Sequence, residues 1–352
     1  MTLDPLQDNF WLHLGARPPE YSERLAHLAG GVALQAPLST TRALELARSG
    51  LPVLLQHNAR TEQSQTTLFA PDDAWLLDQT GCAIVTSRVR WVARPSPTSE
   101  QVLHKAAEEA ESFLRLARKQ LPTKPSLAVF AVSYQWLTSA NPRRQLVAAL
   151  QAIGEPIGLM LGKEQDPLDN TRAVEGLVEI VQSVDRVAIL RCDHGALGAY
   201  AFGAAGGSIG IGTSTRHFVP SGEGSFADLS DPTPRVFLPL LMTWWKGSRL
   251  PYYEGDPLFD SCLCTVCNGA SLIRFQDERL KPEADAHSVA CWSAIALELA
   301  KSQPIRRPER WVDLCREAYA RLDELEDRHD GLLQPPSKQL KAWLRLAGIP
   351  AV

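Results

Sequence analysis

The stretch VAILRCDHGALGAYAFGAAGGSIGIGTSTRH, residues 187–217, contains one complete strand–helix–strand unit. Residues 187–190 form a continuous apolar run, as expected of a strand covered on both faces. The polar pair Asp193–His194 follows, then a run of small residues at helical length over 195–205, then a second apolar segment at 208–211. The same rhythm extends toward the N-terminus. Short apolar runs at 31–34, 53–56, 83–86, 127–132 and 157–161 read as buried strands, and helical patterns lie between them at 40–49, 99–120 and 171–182. The 99–120 stretch carries apolar residues at three- and four-residue spacing.

Repeated β–α units over about 200 residues leave a closed (β/α)8 barrel or an open doubly wound sheet. Seven strands, with an eighth near 235–240, favour the barrel. No GxGxxG follows the first strand and no Walker A motif occurs, which weakens the nucleotide-binding open sheet. The expected fold class is therefore α/β, a (β/α)8 TIM-type barrel over residues 1–250 with a helical C-terminal subdomain over 251–352. The Gly/Pro-rich loop 220–235 marks the transition. Long helices are expected at 282–302 and 306–330, and a short one at 337–347.

Composition bounds the rest. The chain has 352 residues, 45% hydrophobic and 22% charged, normal for a globular protein that buries a large core. No run approaches the ~18–20 apolar residues of a membrane span. MTLDPLQDNFWLHLG lacks a basic segment followed by an apolar one, so the expectation is a cytoplasmic chain. A formal net charge of −4 gives no global attraction to nucleic acid. Any such contact would need a local patch, for which Arg216 and His217, or Trp244, Trp245, Lys246 and Arg249, are candidates.

Seven cysteines and no secretory signal argue against a disulfide framework. Cys82, Cys192, Cys291 and Cys315 read as small core residues. Cys262, Cys264 and Cys267 fall within six residues, in FDSCLCTVCNGASLIRF, and nineteen residues separate Cys267 from His287. Three thiolates and one imidazole suit tetrahedral Zn2+ and leave no open coordination position, so the expected site is structural.

Cys-x-Cys-x2-Cys followed by a histidine at the start of the helix AHSVACWSAIALEL, behind a (β/α) barrel, resembles the tRNA-guanine transglycosylases. The segment 187–217, ending in Thr215–Arg216, is similar to that family's β–α–β stretch ending in a Thr-Arg pair. The resemblance spans roughly residues 180–300, and the spacing to His287 is several residues shorter than usual, as in a distant member. It implies a (β/α)8 fold, a structural zinc and exchange of guanine in nucleic acid for a 7-deazaguanine. The polymer partner it implies is tRNA, or DNA as for relatives that modify DNA. A catalytic protein partner or a homo-dimer is also expected, and no membrane.

The family's reaction needs a carboxylate nucleophile a few residues before the Thr-Arg pair and a second carboxylate for proton transfer. The register puts Gly210 at the first place, and no Asp or Glu lies between Asp193 and Glu223. The family's Asp-Ser-Gly-Gly segment has no match either. Strand ends of a barrel form its active site, and there Asp193 with His194 is the best carboxylate–base pair. Asp193 is the candidate catalytic residue, with capping of the following helix as its plain alternative. His57, Tyr134, Glu164, Arg216, Lys246 and Arg249 are the candidate substrate-binding residues. Three functions stay open: a divergent exchange enzyme, a non-catalytic accessory subunit, and an unrelated (β/α)8 enzyme with a structural zinc site.

Overall fold

The computed structural model describes residues 6–36, 40–57, 79, 81–154, 156–163, 166–220, 231–329, 331 and 337–349. The chain divides into two compact units, Met1–Ser225 and Phe226–Val352.

The first unit is a (β/α)8-like barrel of parallel strands. In chain order they are β1 (Asn9–Gly15), β2 (Val32–Ala36), β3 (Val53–His57), β4 (Val85–Thr86) with its continuation β5 (Arg90–Val92), β6 (Ser126–Ser133), β7 (Ile157–Gly162), β8 (Val187–Cys192) and β9 (Gly206–Gly210). Hydrogen bonding runs β3-β2-β1-β9-β8-β7-β6-β4, and β5 pairs with β6. A parallel bridge between Leu54 and Ile84 joins β3 to the start of β4 and brings the ring round.

The described helices of this unit are α1 (Ser22–Ala29), α2 (Thr40–Arg48), α3 (Pro97–Gln120), α4 (Gln135–Thr138), α5 (Ala140–Ile153), α6 (Thr171–Ser183) and α7 (Gly195–Ala201). Ser96 caps α3 by accepting the Ser99 N–H, with Pro97 at the first helical position.

One layer of the barrel interior is apolar. Trp11, Ala33, Leu54, Ile84, Val129, Met160, Ala188 and Leu190 form one buried cluster contributed by successive strands. This layered filling makes the barrel a packed core and leaves function to the C-terminal ends of the strands. The glycines of β9 allow close approach. A Cβ on Gly206 would lie 2.3 Å from the Asn9 carbonyl oxygen, and one on Gly207 would press on Ile189 O and the Ala196 side chain.

The eighth strand is not the one expected from the sequence. NFWLHLG forms β1 and sits between β2 and β9. Residues Arg235–Leu238 form β10 instead, which pairs antiparallel with β11 (Thr243–Lys246) in the second unit. Both flank a tight turn at Pro239–Met242, so the local hairpin wins over pairing with a distant barrel strand.

The second unit continues through α8 (Pro257–Asp260), α9 (Lys281–Lys301), α10 (Arg307–Arg328) and α11 (Lys338–Leu346). Its core is aromatic: Trp245 packs on Tyr253 and Phe259, and Trp311 meets Trp343 edge to face. No helix among the described residues is long and apolar enough to cross a membrane.

Candidate metal centre and barrel mouth

Residues 262–270 fold into a compact loop. Gly269 N–H donates to Cys262 O at 2.8 Å, and Cys262 N–H donates to Ala270 O at 3.1 Å. Asn268 and Gly269 take left-handed backbone angles (φ 47° and 89°) to turn the chain back, a conformation that Asn and Gly tolerate best. The Cys267 N–H points at Cys264 Sγ at 3.3 Å.

His287, in the second turn of α9 and fully buried, completes the group. Its Nδ1 lies 3.5, 3.4 and 3.2 Å from the sulfurs of Cys262, Cys264 and Cys267. All four candidate ligand atoms fall within 4.8 Å of one another, and together they can hold a metal ion. The other ring nitrogen donates to Phe237 O at 2.8 Å, which leaves the Nδ1 lone pair facing the sulfurs. Arg274 donates to Cys267 Sγ at 3.2 Å and places positive charge beside that sulfur. A hollow of about 250 Å³, lined by Leu238, Leu241, Leu258, Phe259 and Leu272, flanks Cys262, Cys264 and Cys291 with apolar surface.

Electrostatics favour a cation here. Contacts with Cys262 and Cys267 hold the Cys264 thiol far below its usual value, while contact with Cys264 pushes Cys262 up and contact with Cys262 pushes Cys267 up. On protein groups alone, three adjacent sulfurs cannot all ionise. A divalent cation removes that conflict. Burial works to lower His287, but its bonds to Cys264 and Cys267 outweigh it and raise it to about 9.

The sequence pattern did not single out two neighbours. Cys291 lies one helical turn beyond His287, with its sulfur 3.7 Å from Nδ1; the i, i+4 spacing on α9 was the available signal. Arg274 carried no signal beyond proximity in sequence. Cys82, Cys192, Cys291 and Cys315 are all buried, as expected of core residues.

At the C-terminal end of the barrel, the segment after β9 folds over the strand ends. Gly162 and Phe218 form a parallel bridge: Phe218 N–H donates to Leu161 O and Lys163 N–H to Phe218 O, each at 3.1 Å. Phe218 is fully buried and its ring meets Trp91, at a centroid distance of 5.1 Å. A Cβ on Gly162 would come within 2.3 Å of Trp91. The closest approach is at Gly210, where a Cβ would lie 2.2 Å from the carbonyl carbon and oxygen of Thr215 and 2.5 Å from Arg216 N. Arg191, in a left-handed conformation (φ 51°) where the register of β8 shifts, ties this strap down by donating to Ser214 O at 2.9 Å.

Asp193 Oδ1 accepts the Gly195 N–H at 2.8 Å, at the first residue of α7, whose N-cap position is His194. Its other oxygen stands 3.9 Å from His194 Nδ1. Asp166, just beyond β7, is pushed well above the usual carboxylate range, first by burial and then by the negative charge of Asp193. Burial lowers His194; Asp193 opposes that and Arg216 adds to it. Asp166 is therefore the second carboxyl that the fold brings toward Asp193.

The other candidate residues scatter. Tyr134 meets Lys163, whose ammonium lies 4.9 Å from the ring centre, and Lys163 is ion-paired to Asp169. His57 ends β3 opposite Ala36, but its side chain lies outside the described residues, as does Glu164. Arg216 is buried and donates to Ile211 O at 3.1 Å, and His217 is buried beside it.

The Trp244–Arg249 patch, expected as a surface for bases and phosphates, is mostly interior. Trp244, Trp245 and Lys246 are buried, Lys246 is paired with Asp231 at 3.3 Å, and Arg249 is half-buried. Hairpin pairing sets this outcome, since it packs two adjacent tryptophans into an aromatic core instead of leaving them in water.

No family model matches the chain, and no curated protein matches it. Among solved structures, a variant carboxyl transferase domain of Rhizobium etli pyruvate carboxylase, determined with pyruvate, aligns at 11% identity with a TM-score of 0.28. The alignment covers 97% of this chain and 61% of that one. A likeness at this level carries no argument about substrate.

Proposed function

We propose that this chain is a divergent (β/α)8 protein of the tRNA-guanine transglycosylase type. In this reading it keeps a structural zinc, has lost base exchange through the usual nucleophile, and serves in the cytoplasm as an accessory subunit beside an active partner on tRNA or DNA. The single observation that carries the loss of chemistry is Gly210. Thr215 and Arg216 backbone atoms stand where any side chain at this position would begin, so no carboxylate can be presented from it. The zinc reading rests on ligand chemistry. A tetrahedron with metal–sulfur bonds of about 2.3 Å and a metal–nitrogen bond of about 2.0–2.1 Å has nitrogen–sulfur edges of roughly 3.5 Å. The separations here are 3.2–3.5 Å.

The test is incorporation of labelled guanine, or of a 7-deazaguanine, into tRNA and DNA. The zinc-loaded chain alone is expected to give none. Turnover by the isolated chain would overturn the accessory reading. One observation favours a second reading, a noncanonical reaction run by Asp193 with Asp166 as its proton donor: Asp166 resists ionising next to Asp193. Under that reading turnover appears and Asp193→Asn abolishes it. An unrelated barrel chemistry would leave the zinc in place with both nucleic-acid assays blank.

A further inference from the structure

The strap covers the β7–β9 side of the barrel mouth; the β1–β3 side carries a different feature. Trp11, Ala33 and Leu54 belong to the interior cluster. The two-residue period of a strand puts His13, Gln35 and Gln56 on the same inward face, one step nearer the C-terminal end. His13 and Gln56 are fully buried. Neither ring nitrogen of His13, and neither the oxygen nor the nitrogen of the Gln56 amide, has a hydrogen-bond partner among the described residues. Burial first, and then the positive charge of Arg191, hold His13 well below its ordinary range, so the ring is neutral.

Four orphaned polar atoms on two interior positions, one on β1 and one on β3 with β2 between them, are unusual, because each left unsatisfied costs stability. Their chemistry is specific. A neutral imidazole supplies one donor and one acceptor, and so does the carboxamide edge that carries the oxygen and the syn N–H. An anion would engage only the donors and leave two lone pairs facing its charge. The positive charge that reaches His13 is that of Arg191, whose guanidinium is tied to Ser214 O. The nearer neighbours are apolar or neutral: Trp11, Ala33 and Leu54 lie below, Gln35 stands beside Gln56 in register, and the Thr215 methyl closes on Gly15.

We propose that His13 and Gln56 form a binding site for a small uncharged molecule that presents a hydrogen-bond donor and acceptor on adjacent atoms, of the cyclic-amide class. The site depends neither on the metal centre nor on the accessory reading, since it is built by β1 and β3 of the first unit alone.

The probe is 2-pyrrolidinone, titrated into the full-length zinc-loaded chain labelled with 15N at histidine. N-methyl-2-pyrrolidinone, which lacks the donor, and acetate serve as comparisons. Saturable binding that moves the His13 ring resonances is expected. Losing one buried hydrogen bond is expected to weaken the N-methyl compound about tenfold or more, and acetate should not compete. Gln56→Leu and His13→Phe should each weaken the lactam at least about tenfold without lowering the melting temperature, because an orphaned polar group is replaced by an apolar one of similar size. If His13→Phe does not fold, Gln56→Leu and the wild-type ring shifts decide. A flat titration up to ~100 mM would mean that the pair is met by solvent only and would overturn the proposal. Equal binding of the N-methyl compound, or undiminished binding by Gln56→Leu, would also overturn it.

Discussion

His287 donates its Nε2 proton to the carbonyl oxygen of Phe237 at 2.8 Å, across fifty residues of sequence. The adjacent Ser288 hydroxyl accepts the Phe237 N–H at 3.0 Å, so both backbone groups of Phe237 are held by α9. The hairpin β10–β11, the helix and the cysteine loop are therefore fastened at one point. The imidazole that faces the sulfurs is oriented by a strand that contributes no ligand.

The first expectation concerns the ion itself. Elemental analysis of purified protein should find about one zinc per chain. Cys264→Ser should lose it and lower the melting temperature by roughly 10 °C, since binding energy at a structural site is folding energy. Metal-free protein with an unchanged melting curve would be the contrary result.

Arg274 tests the shell around the ligands. Its guanidinium donates to Cys267 Sγ at 3.2 Å. Arg274→Met keeps most of the side-chain volume and removes that bond. Affinity for zinc, read by competition with a chromophoric chelator, should fall about 10–100-fold. Unaltered affinity would assign Arg274 to packing alone.

Gly210 gives a test by restoration. Gly210→Asp returns a carboxylate to the position where the resemblance puts the nucleophile. With 2.2 Å to Thr215 there is no room for it. The variant should be destabilised by more than about 3 kcal/mol in urea titrations and gain no exchange activity. A stable and active variant would show that the strap moves aside.

Asp256 offers a pH test away from the metal. Burial alone would raise its carboxyl, but Arg328, the Leu258 N–H and His329 bond to the ionised form and bring it below the usual range. A carboxyl lowered in the folded state stabilises it above the unfolded value of about 4 and loses that contribution as pH falls through the folded value. Asp256→Asn should cost about 3 kcal/mol at pH 7. The gap between wild type and variant should narrow below about pH 4. A gap that stays constant with pH would mean that Asp256 acts by shape rather than charge.

Much of this molecule is legible because its signals are local. The cysteine loop needs only nearby residues: sulfur spacing, a turn at Asn268–Gly269 and a histidine one turn into a helix. The buried strands announce themselves as short apolar runs, and α9, α10 and α11 lie within about two residues of their expected bounds. β1 escaped notice because NFWLHLG interrupts its apolar run with His13, a residue whose inward position only the closed ring explains.

The rest was decided by contacts between residues far apart in sequence. Whether Arg235–Leu238 completes a barrel or folds into a hairpin depends on competing partners, and the near one at Thr243–Lys246 wins. The same pairing turns Trp244, Trp245 and Lys246 from an imagined basic surface into interior. The sequence alone determined which residues can hold a metal and that strands and helices alternate, since both follow from spacing along the chain. Only the tertiary structure decided that Gly210 is sealed by Thr215, that Asp166 shares the field of Asp193, and that the side chains of His13 and Gln56 meet no hydrogen-bond partner among the described residues. Close approach, desolvation and orphaned hydrogen bonds are properties of what surrounds a residue, and the folded backbone alone sets those surroundings.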